Sequence, residues 1–331
     1  MLVDRTCIFC AADRRLTDEH VIPASLGGDL VIAGGSCATC NNRCSHEFEA
    51  AFINNLLVVR HLLGIANRAG KIPSVPVTFP IRGASATGVL TPEHEFCPND
   101  TVIKAAAPEQ DEYWMFTGRG RRKLERHAEQ SGKRIVPLDP TECFVAVRPR
   151  SSIELNFVTE ESAKRAVAKV AYAYAIHCLG RLPQRSAAYD AVRRFIIHGE
   201  GRSPTRLFFN RDFLTATNLT GFQHALLLSS DSQKHAVTAI VVLFGGLNYV
   251  VRLADEAFVD VGCTYIWDSR KRKPIGFFTR DYLHEHAGVD IIDKGSTVFD
   301  DVAQVAEHWK GLLESAGRIR AAEVADPKKK P

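Results

Sequence analysis

Two Cys-x-x-Cys pairs near the start of the chain restrict its fold more than any other feature. The first pair is Cys7 and Cys10, the second is Cys37 and Cys40, and residues 11–36 separate them. Each pair forms a short knuckle that presents two sulfur atoms to one ion, so two pairs can close a tetrahedral thiolate site. We therefore predict one structural zinc ion bound by these four cysteines. Because a closed four-sulfur site has no open coordination position, any catalysis must come from residues that the zinc holds in place.

The composition predicts a globular protein that contains no membrane span. The chain has 331 residues, of which 45% are hydrophobic and 24% are charged, and this excludes wholesale disorder. Its net charge of +4 is compatible with a polyanionic partner but does not demonstrate one. No segment resembles a signal peptide or reaches membrane-spanning length, so we expect a cytoplasmic protein. In that compartment cysteines act as metal ligands, buried thiols or redox groups, and two unrelated reduced pairs are the alternative to zinc.

The residues between and after the knuckles predict two strands followed by a helix. Residues 16–23 are typical of a short strand that ends at a proline, and residues 30–32 form a second apolar run. The Gly27–Gly28 pair between them predicts a turn. Residues 41–57 repeat apolar side chains at intervals of three and four, which indicates a helix. The pattern is therefore that of a ββα unit held at both ends by the zinc knuckles.

This pattern resembles the HNH endonuclease family, in its bacterial branch with paired zinc knuckles. The resemblance covers about residues 5–56 in the order and spacing of the family. It implies a small ββα-metal domain of the treble-clef type, for which we predict residues 1–66. The matching residues are the four knuckle cysteines, Glu19, His20, Pro23, Gly27, Gly28, Asn41, Asn42 and Arg43.

The resemblance assigns the catalytic roles. It implies that His20 is the general base that activates water against a phosphodiester, and that Glu19 and Asn42 bind one catalytic Mg²⁺ or Mn²⁺ ion. A neutral imidazole can accept the proton near pH 7, and the ion can supply positive charge to the phosphate. Adjacent strand residues point to opposite faces, so Glu19 and His20 can both serve the site only where the strand is irregular. The breaks at Pro23 and at residues 27–28 favour such an irregularity.

Three further residues are candidates on the predicted helix. Asn41 is a second candidate for the ligand role of Asn42, and His46 is a further metal ligand candidate because it lies four residues beyond Asn42 on the same helical face. Arg43 is a candidate phosphate contact, with a solvated side chain as the alternative. One departure from the family concerns residues 21–36, which contain no asparagine. Many members use an asparagine there to stiffen the loop between the two strands.

The rest of the chain predicts a larger α+β domain over residues 67–331. Its clearest elements are a helix pair, at residues 159–180 and 186–200, and an antiparallel meander at residues 222–253. The sequence leaves three roles open for this domain, namely substrate selection, partner binding and restraint of the nuclease. Further predicted elements are strands at residues 75–81, 101–105, 113–117 and 144–147 and a charged helix at residues 121–130.

Taken with the resemblance, the sequence predicts a metal-dependent endonuclease that acts on DNA and nicks one strand per active site. The resemblance also implies a role in bacterial defence against foreign DNA, in which residues 67–331 would contact other proteins of such a system. The competing hypothesis is a catalytically inactive, zinc-dependent protein that binds nucleic acid or regulates a partner. The sequence leaves the oligomeric state open.

Overall fold

The computed structural model describes residues 6–67, 69–81, 84–93, 96–98, 125–126, 128–130, 132, 155–233, 235–257, 259–276 and 297–325. The chain divides into two compact units, one formed by residues 1–71 together with residues 154–331, and the other by residues 72–153. The first unit therefore joins the start of the chain to its C-terminal half. The folding of residues 1–66 as a separate domain stays a prediction.

The N-terminal segment contains two strands and then a helix, in the predicted order. Its elements are β1 (Leu16–His20), a 3₁₀ turn (Ala24–Leu26), β2 (Val31–Cys37), α1 (Ala38–Cys44), a π-helical turn (Ser45–Glu49), α2 (Ala50–Asn55) and α3 (Leu57–Leu63). Strands β1 and β2 pair antiparallel. Helix α1 begins at the second knuckle because the sulfur of Cys37 accepts a hydrogen bond from the backbone N–H of Cys40. The π-helical turn, a feature that sequence periodicity does not show, changes the direction of the side chains that follow Cys44.

The pairing of strands β1 and β2 is irregular just before Glu19. Thr17 pairs with Ser36 and Glu19 pairs with Ile32, so Asp18 alone faces residues 33–35. The shift lies at Asp18, whereas Glu19 and His20 pair with Ile32 and Val31 in regular register, so the arrangement of both side chains at one site stays a prediction. Gly35 makes the close approach possible, because a Cβ atom there would lie 2.6 Å from the Cβ of Glu19.

Residues 72–153 form the second unit, which contains a small antiparallel sheet. Its strands are β3 (Val75–Ile81), β4 (Ala84–Leu90) and β5 (Phe96–Pro98), in that spatial order. The strand predicted at residues 75–81 is confirmed. The strands predicted at residues 101–105, 113–117 and 144–147, and much of the helix predicted at residues 121–130, lie outside the described residues.

The C-terminal half builds a seven-stranded antiparallel sheet covered by helices. Its helices are α4 (Glu161–Leu179), α5 (Leu182–Arg185), α6 (Asp190–His198), α7 (Arg211–Thr217) and α8 (Val302–Ala325), with 3₁₀ turns at Leu155–Thr159 and Ala187–Tyr189. Its strands are β6 (Thr205–Phe209), β7 (Gln223–Asp231), β8 (Ala236–Leu243), β9 (Leu247–Ala254), β10 (Val261–Asp268), β11 (Lys273–Gly276) and β12 (Val298–Phe299). The spatial order is β11-β10-β7-β8-β9-β6-β12, which contains the predicted meander as β7-β8-β9. The α+β class is therefore confirmed.

Helix α4 is the central element of the larger unit. It packs on strands β6 to β9 and also contacts the π-helical turn and α2 of the N-terminal segment. Small and apolar side chains fill most of its length, as expected for a helix that is buried on several sides. Two charged residues, Arg165 and Lys169, are nevertheless among its buried positions. Charges in such places need partners, and both find them in the N-terminal segment.

None of the helices in the described part of the chain combines the length and the apolar character that a membrane span requires.

Candidate functional site

The four predicted cysteines lie together and fit one zinc ion. Their sulfur atoms are all within 4.8 Å of one another. The sulfurs of Cys10 and Cys37 are 3.8 Å apart, about the edge of a tetrahedron with Zn–S bonds of about 2.3 Å. Cys10 is exposed, whereas Cys7, Cys37 and Cys40 are buried. In the described part of the chain, no other group of three or more His, Cys, Asp and Glu side chains could hold a metal ion.

The electrostatics of the cluster also favour a cation. A hydrogen bond from the Cys40 thiol, opposed by burial, lowers the pKa of Cys7 to about 4. The same bond, together with burial, raises the pKa of Cys40. One thiolate therefore forms easily and suppresses ionisation of its neighbour. All four sulfurs can be ionised together only when a metal ion balances their charge.

Residues of the C-terminal half support the backbone of the first knuckle. The hydroxyl of Tyr172 on α4 donates to the carbonyl of Ile8 at 2.9 Å. The side-chain amide of Gln184 on α5 donates to the carbonyl of Cys7 at 3.1 Å. The guanidinium of Arg181 donates to two further carbonyl groups of the N-terminal segment, at 3.0 and 3.3 Å. The zinc knuckle is thus packed against helix α4 and the turn that follows it.

Glu19 is buried and ion-paired with a residue from outside the motif. Its side chain is 3% exposed, and its Oε1 contacts the ammonium of Lys169 on α4. The same ammonium lies 3.0 Å from Oε1 of Glu49 and donates to the carbonyl of His20 at 2.8 Å. Burial disfavours the charged form of Lys169, but the two carboxylates outweigh burial and raise its pKa. Lys169 is therefore a permanent buried cation beside the proposed general base.

The second oxygen of Glu19 is the atom that best fits a divalent ion. Oε2 is buried and has no hydrogen-bond partner among the described residues. Carboxylate oxygens are hard ligands of the kind that Mg²⁺ and Mn²⁺ prefer, and an unpartnered buried carboxylate oxygen carries a large desolvation cost. Glu19 and Glu49 carry two negative charges, and Lys169 balances only one of them. The three side chains together can therefore accommodate a further positive charge. These residues fit a catalytic ion at Glu19.

The remaining predicted ligands lie on helix α1 and the turn after it. Asn41 is partly buried, and its side-chain amide donates to the hydroxyl of Thr17 on β1 at 3.3 Å. Asn42 and His46 are exposed, and within the described residues no hydrogen bond links either side chain to Glu19. A hydrogen bond thus connects Asn41 to strand β1, which carries Glu19, whereas Asn42 and His46 lie at the surface.

Arg43 is exposed and follows Asn42 on helix α1. Its Nε lies 3.3 Å from the Glu47 carboxylate, and its Nη1 lies 3.2 Å from Nδ1 of His198 at the end of α6. These partners hold the guanidinium at the surface of helix α1. The predicted phosphate contact therefore has an oriented but accessible side chain, and its role stays a prediction.

The loop between β1 and β2 is held by the large sheet. Trp267 on β10 donates from Nε1 to the carbonyl of Gly27 at 2.6 Å, and His224 on β7 bonds the carbonyl of Leu26 at 2.9 Å. Gly27 adopts φ +86°, and a Cβ atom there would lie 2.8 Å from Ser269. The loop lacks the asparagine that many family members use, and contacts with a distant sheet stiffen it instead.

His224 makes the stability of the larger unit depend on pH. Its Nε2–H donates to Leu26, and its Nδ1 accepts the backbone N–H of Phe244 at 3.2 Å, so the ring is held neutral. Burial lowers its pKa from about 6.5 to about 4. The unfolded chain binds this proton at a higher pH than the folded chain, so stability falls as pH drops from about 6.5 towards 4. We expect a loss of about 3 kcal/mol at most.

Urea unfolding at several pH values between 7 and 4 tests this dependence. The His224→Gln variant lacks the titrating ring and is the matched control, because acid release of zinc affects both proteins equally. We expect the stability of the variant to fall less steeply over this range. Parallel curves for the two proteins would contradict the role of His224.

Sequence reasoning missed four residues around the site. Lys169, Glu49, His224 and Trp267 all lie outside the matched pieces of the motif. One signal existed for Lys169, because it lies four residues after Arg165 in a helix otherwise rich in alanine and valine. Two positive charges on one face of such a helix indicate acidic partners elsewhere in the fold. Their identity was not readable from the sequence.

Comparison with known proteins agrees with the motif. A family model described as HNH endonuclease matches residues 7–57, the segment that carries the cysteine cluster, Glu19 and His20. The resemblance drawn from the sequence is confirmed over these residues. A search of curated proteins and a search of solved structures both found no match.

Proposed function

We propose that this chain, whose residues 7–57 match the HNH endonuclease family, hydrolyses phosphodiester bonds in DNA with the help of a divalent metal ion. The observation that best supports the proposal is the pair Glu19–His20 at the end of β1, directly after the register shift at Asp18. Glu19 turns inward and keeps one oxygen without a hydrogen-bond partner in the described residues, and His20 follows it directly. A ligand and a base on consecutive residues suit a reaction at one phosphate.

In this mechanism the side chain of His20 accepts a proton from the attacking water. The water oxygen forms a bond to phosphorus while the bond from phosphorus to the leaving oxygen breaks. Glu19 and Asn42 would hold the Mg²⁺ or Mn²⁺ ion, with Asn41 and His46 as further candidates. When bound, that ion supplies positive charge for the phosphate and the leaving oxygen. Arg43 would orient the substrate through a neighbouring phosphate.

The zinc cluster has a structural role in this proposal. The sulfurs of the four cysteines fill the coordination sphere of a tetrahedral ion, so no position is open for water or substrate. A zinc ion held by Cys7, Cys10, Cys37 and Cys40 would join the segment before β1 to the start of α1. It would thereby hold the strand that carries His20 against the helix that carries Asn41 and Asn42.

A second candidate function is a zinc-stabilised module that binds DNA but does not cut it. The observation that favours it is the ammonium of Lys169, which already lies against Oε1 of Glu19. In an inactive protein this cation would replace the catalytic ion rather than support it. The two candidates differ in one measurable property. The nuclease cleaves DNA when divalent metal is added, whereas the inactive module binds DNA and does not cleave it at any metal concentration.

A plasmid assay distinguishes the two candidates. Supercoiled DNA is incubated with the zinc-loaded protein and with Mg²⁺, Mn²⁺ or a chelator. Because one active site cuts one strand, we expect open-circular DNA to accumulate before linear DNA, and only with added metal. Zinc content measured after the chelator step shows whether the structural site is still loaded. DNA binding without cleavage at any metal concentration would support the inactive module instead.

The proposed biological role is defence of a bacterium against foreign DNA. It rests on the family resemblance, and residues 67–331 would then select the substrate, contact other proteins or restrain the nuclease.

A further inference from the structure

We infer that Lys169 of helix α4 positions the proposed general base His20, so that the C-terminal half of the chain is an integral part of the nuclease centre. The inference rests on the proposed function and deepens it. Lys169 is a positioning residue, because it contacts Glu19 and the backbone of His20 rather than the substrate.

The first argument is the number of contacts that Lys169 makes to one small region. An ammonium group has three N–H donors. Those of Lys169 face the carboxylate of Glu19, the carboxylate of Glu49 and the carbonyl of His20. All three acceptors belong to the N-terminal segment, and the Lys169 side chain is 3% exposed. The hydrogen-bonding capacity of this lysine is therefore directed at the segment that carries the proposed site.

The second argument concerns the orientation of His20. The ion pair with Lys169 holds the Glu19 side chain on the inner face of β1. Lys169 also holds the carbonyl of His20, and the N–H of Val21 donates to the carbonyl of Leu30 at 2.9 Å. Both sides of this peptide bond are thus fixed, which sets the direction of the imidazole.

The third argument is the cost of losing the ammonium. Without it, two carboxylates would lie in a site with almost no access to water. Burying unpaired charges of the same sign is strongly unfavourable, so Glu19 would turn towards solvent. That change releases the end of β1 and moves His20. A misplacement of about 1 Å in a catalytic group can lower a rate by about a hundredfold.

Helix α4 also supplies a matched control, Arg165, one turn before Lys169. Its guanidinium pairs with Glu47 at 2.8 Å and donates to the carbonyl groups of Ile196 and Ile197. It also lies 4.7 Å from the centre of the Phe48 ring. Arg165 therefore joins the same helix to the same π-helical turn through Glu47 and Phe48 rather than through β1. A general weakening of this packing should appear in Arg165 variants as well.

The kinetic test compares Lys169→Met with Arg165→Met in the plasmid assay. We expect Lys169→Met to lower kcat by about tenfold or more, with KM for DNA within about twofold of the wild type. Arg165→Met should lower the melting temperature but keep kcat within about twofold of the wild type. Equal losses of kcat in the two variants, or wild-type kcat in Lys169→Met, would overturn the inference.

A chemical test works without cleavage activity. Diethyl pyrocarbonate modifies accessible imidazoles, and trypsin cleavage after Arg15 and Arg43 releases a peptide in which His20 is the only histidine. We expect Lys169→Met to change the His20 labelling rate by about tenfold or more, the factor that corresponds to one lost hydrogen bond to a charged group. Arg165→Met should leave that rate unchanged. If the wild type does not cleave DNA, the proposed function fails, while this labelling still decides the role of Lys169.

A conservative pair covers the case in which Lys169→Met does not fold. Lys169→Arg keeps the charge but places its donors on a longer, planar group, and Arg165→Lys makes the reverse exchange one turn away. We expect Lys169→Arg alone to lower kcat and to alter His20 labelling. Wild-type values in Lys169→Arg, or equal changes in both variants, would overturn the inference.

Discussion

Replacing His20 with alanine should lower kcat for DNA cleavage by about 10²–10⁴-fold, the usual contribution of a general base. The change removes the proposed proton acceptor but leaves the four zinc cysteines and the Glu19–Lys169 ion pair in place. The backbone carbonyl that Lys169 holds is also retained. Single-turnover cleavage at saturating metal measures the effect, and zinc content and the melting temperature report the integrity of the fold.

Metal dependence separates the base from the proposed ligands. Asn42→Ala should raise the magnesium concentration needed for half-maximal activity, because a lost ligand weakens ion binding and added ion partly compensates. Glu19→Gln should do the same and should also cost stability, because it leaves Lys169 with one carboxylate. His20→Ala should keep the metal requirement of the wild type. Nicking at the wild-type rate by His20→Ala would remove His20 from the mechanism.

His46→Ala is an informative addition to this series. An increase in its metal requirement would make His46 a second ligand from the helix. An unchanged requirement would identify it as a surface residue.

Replacing Cys37 with serine should release the zinc ion and unfold the N-terminal segment. Cys37 is both a ligand and the residue whose sulfur caps helix α1. Structural zinc contributes about 10–16 kcal/mol of apparent binding free energy in small zinc-finger peptides, which exceeds the stability of many domains. Because Tyr172, Arg181 and Gln184 bond the backbone near the first knuckle, we expect the loss to destabilise the C-terminal half as well.

Zinc content and chemical unfolding test this prediction together. The control is Cys44→Ser, which changes another buried cysteine of helix α1 that lies outside the cluster. That variant should keep about one zinc ion per chain. The zinc assignment would be wrong if Cys37→Ser purified with the same zinc content and unfolding midpoint as the wild type.

Features that depend on short spacing could be predicted from the sequence. The two Cys-x-x-Cys pairs, the strand–strand–helix order and the helix near residues 161–179 each follow from patterns within about twenty residues. In these cases local backbone preference and side-chain period determine the outcome. The register shift at Asp18 was not indicated in the same way, because the proline and the glycines that favour an irregular strand lie after His20 rather than before Glu19.

The partners of the site residues were decided only by the tertiary structure. Lys169 reaches the carbonyl of His20 across 149 residues, and His224 reaches the carbonyl of Leu26 across 198 residues. A lysine in a helix or a histidine in a strand has the same local pattern whether it faces water or a buried carboxylate. Its environment is set when helix α4 and the large sheet close over the N-terminal segment. Burial then makes the pairing of charges obligatory, and that requirement selects Glu19 as the partner of Lys169.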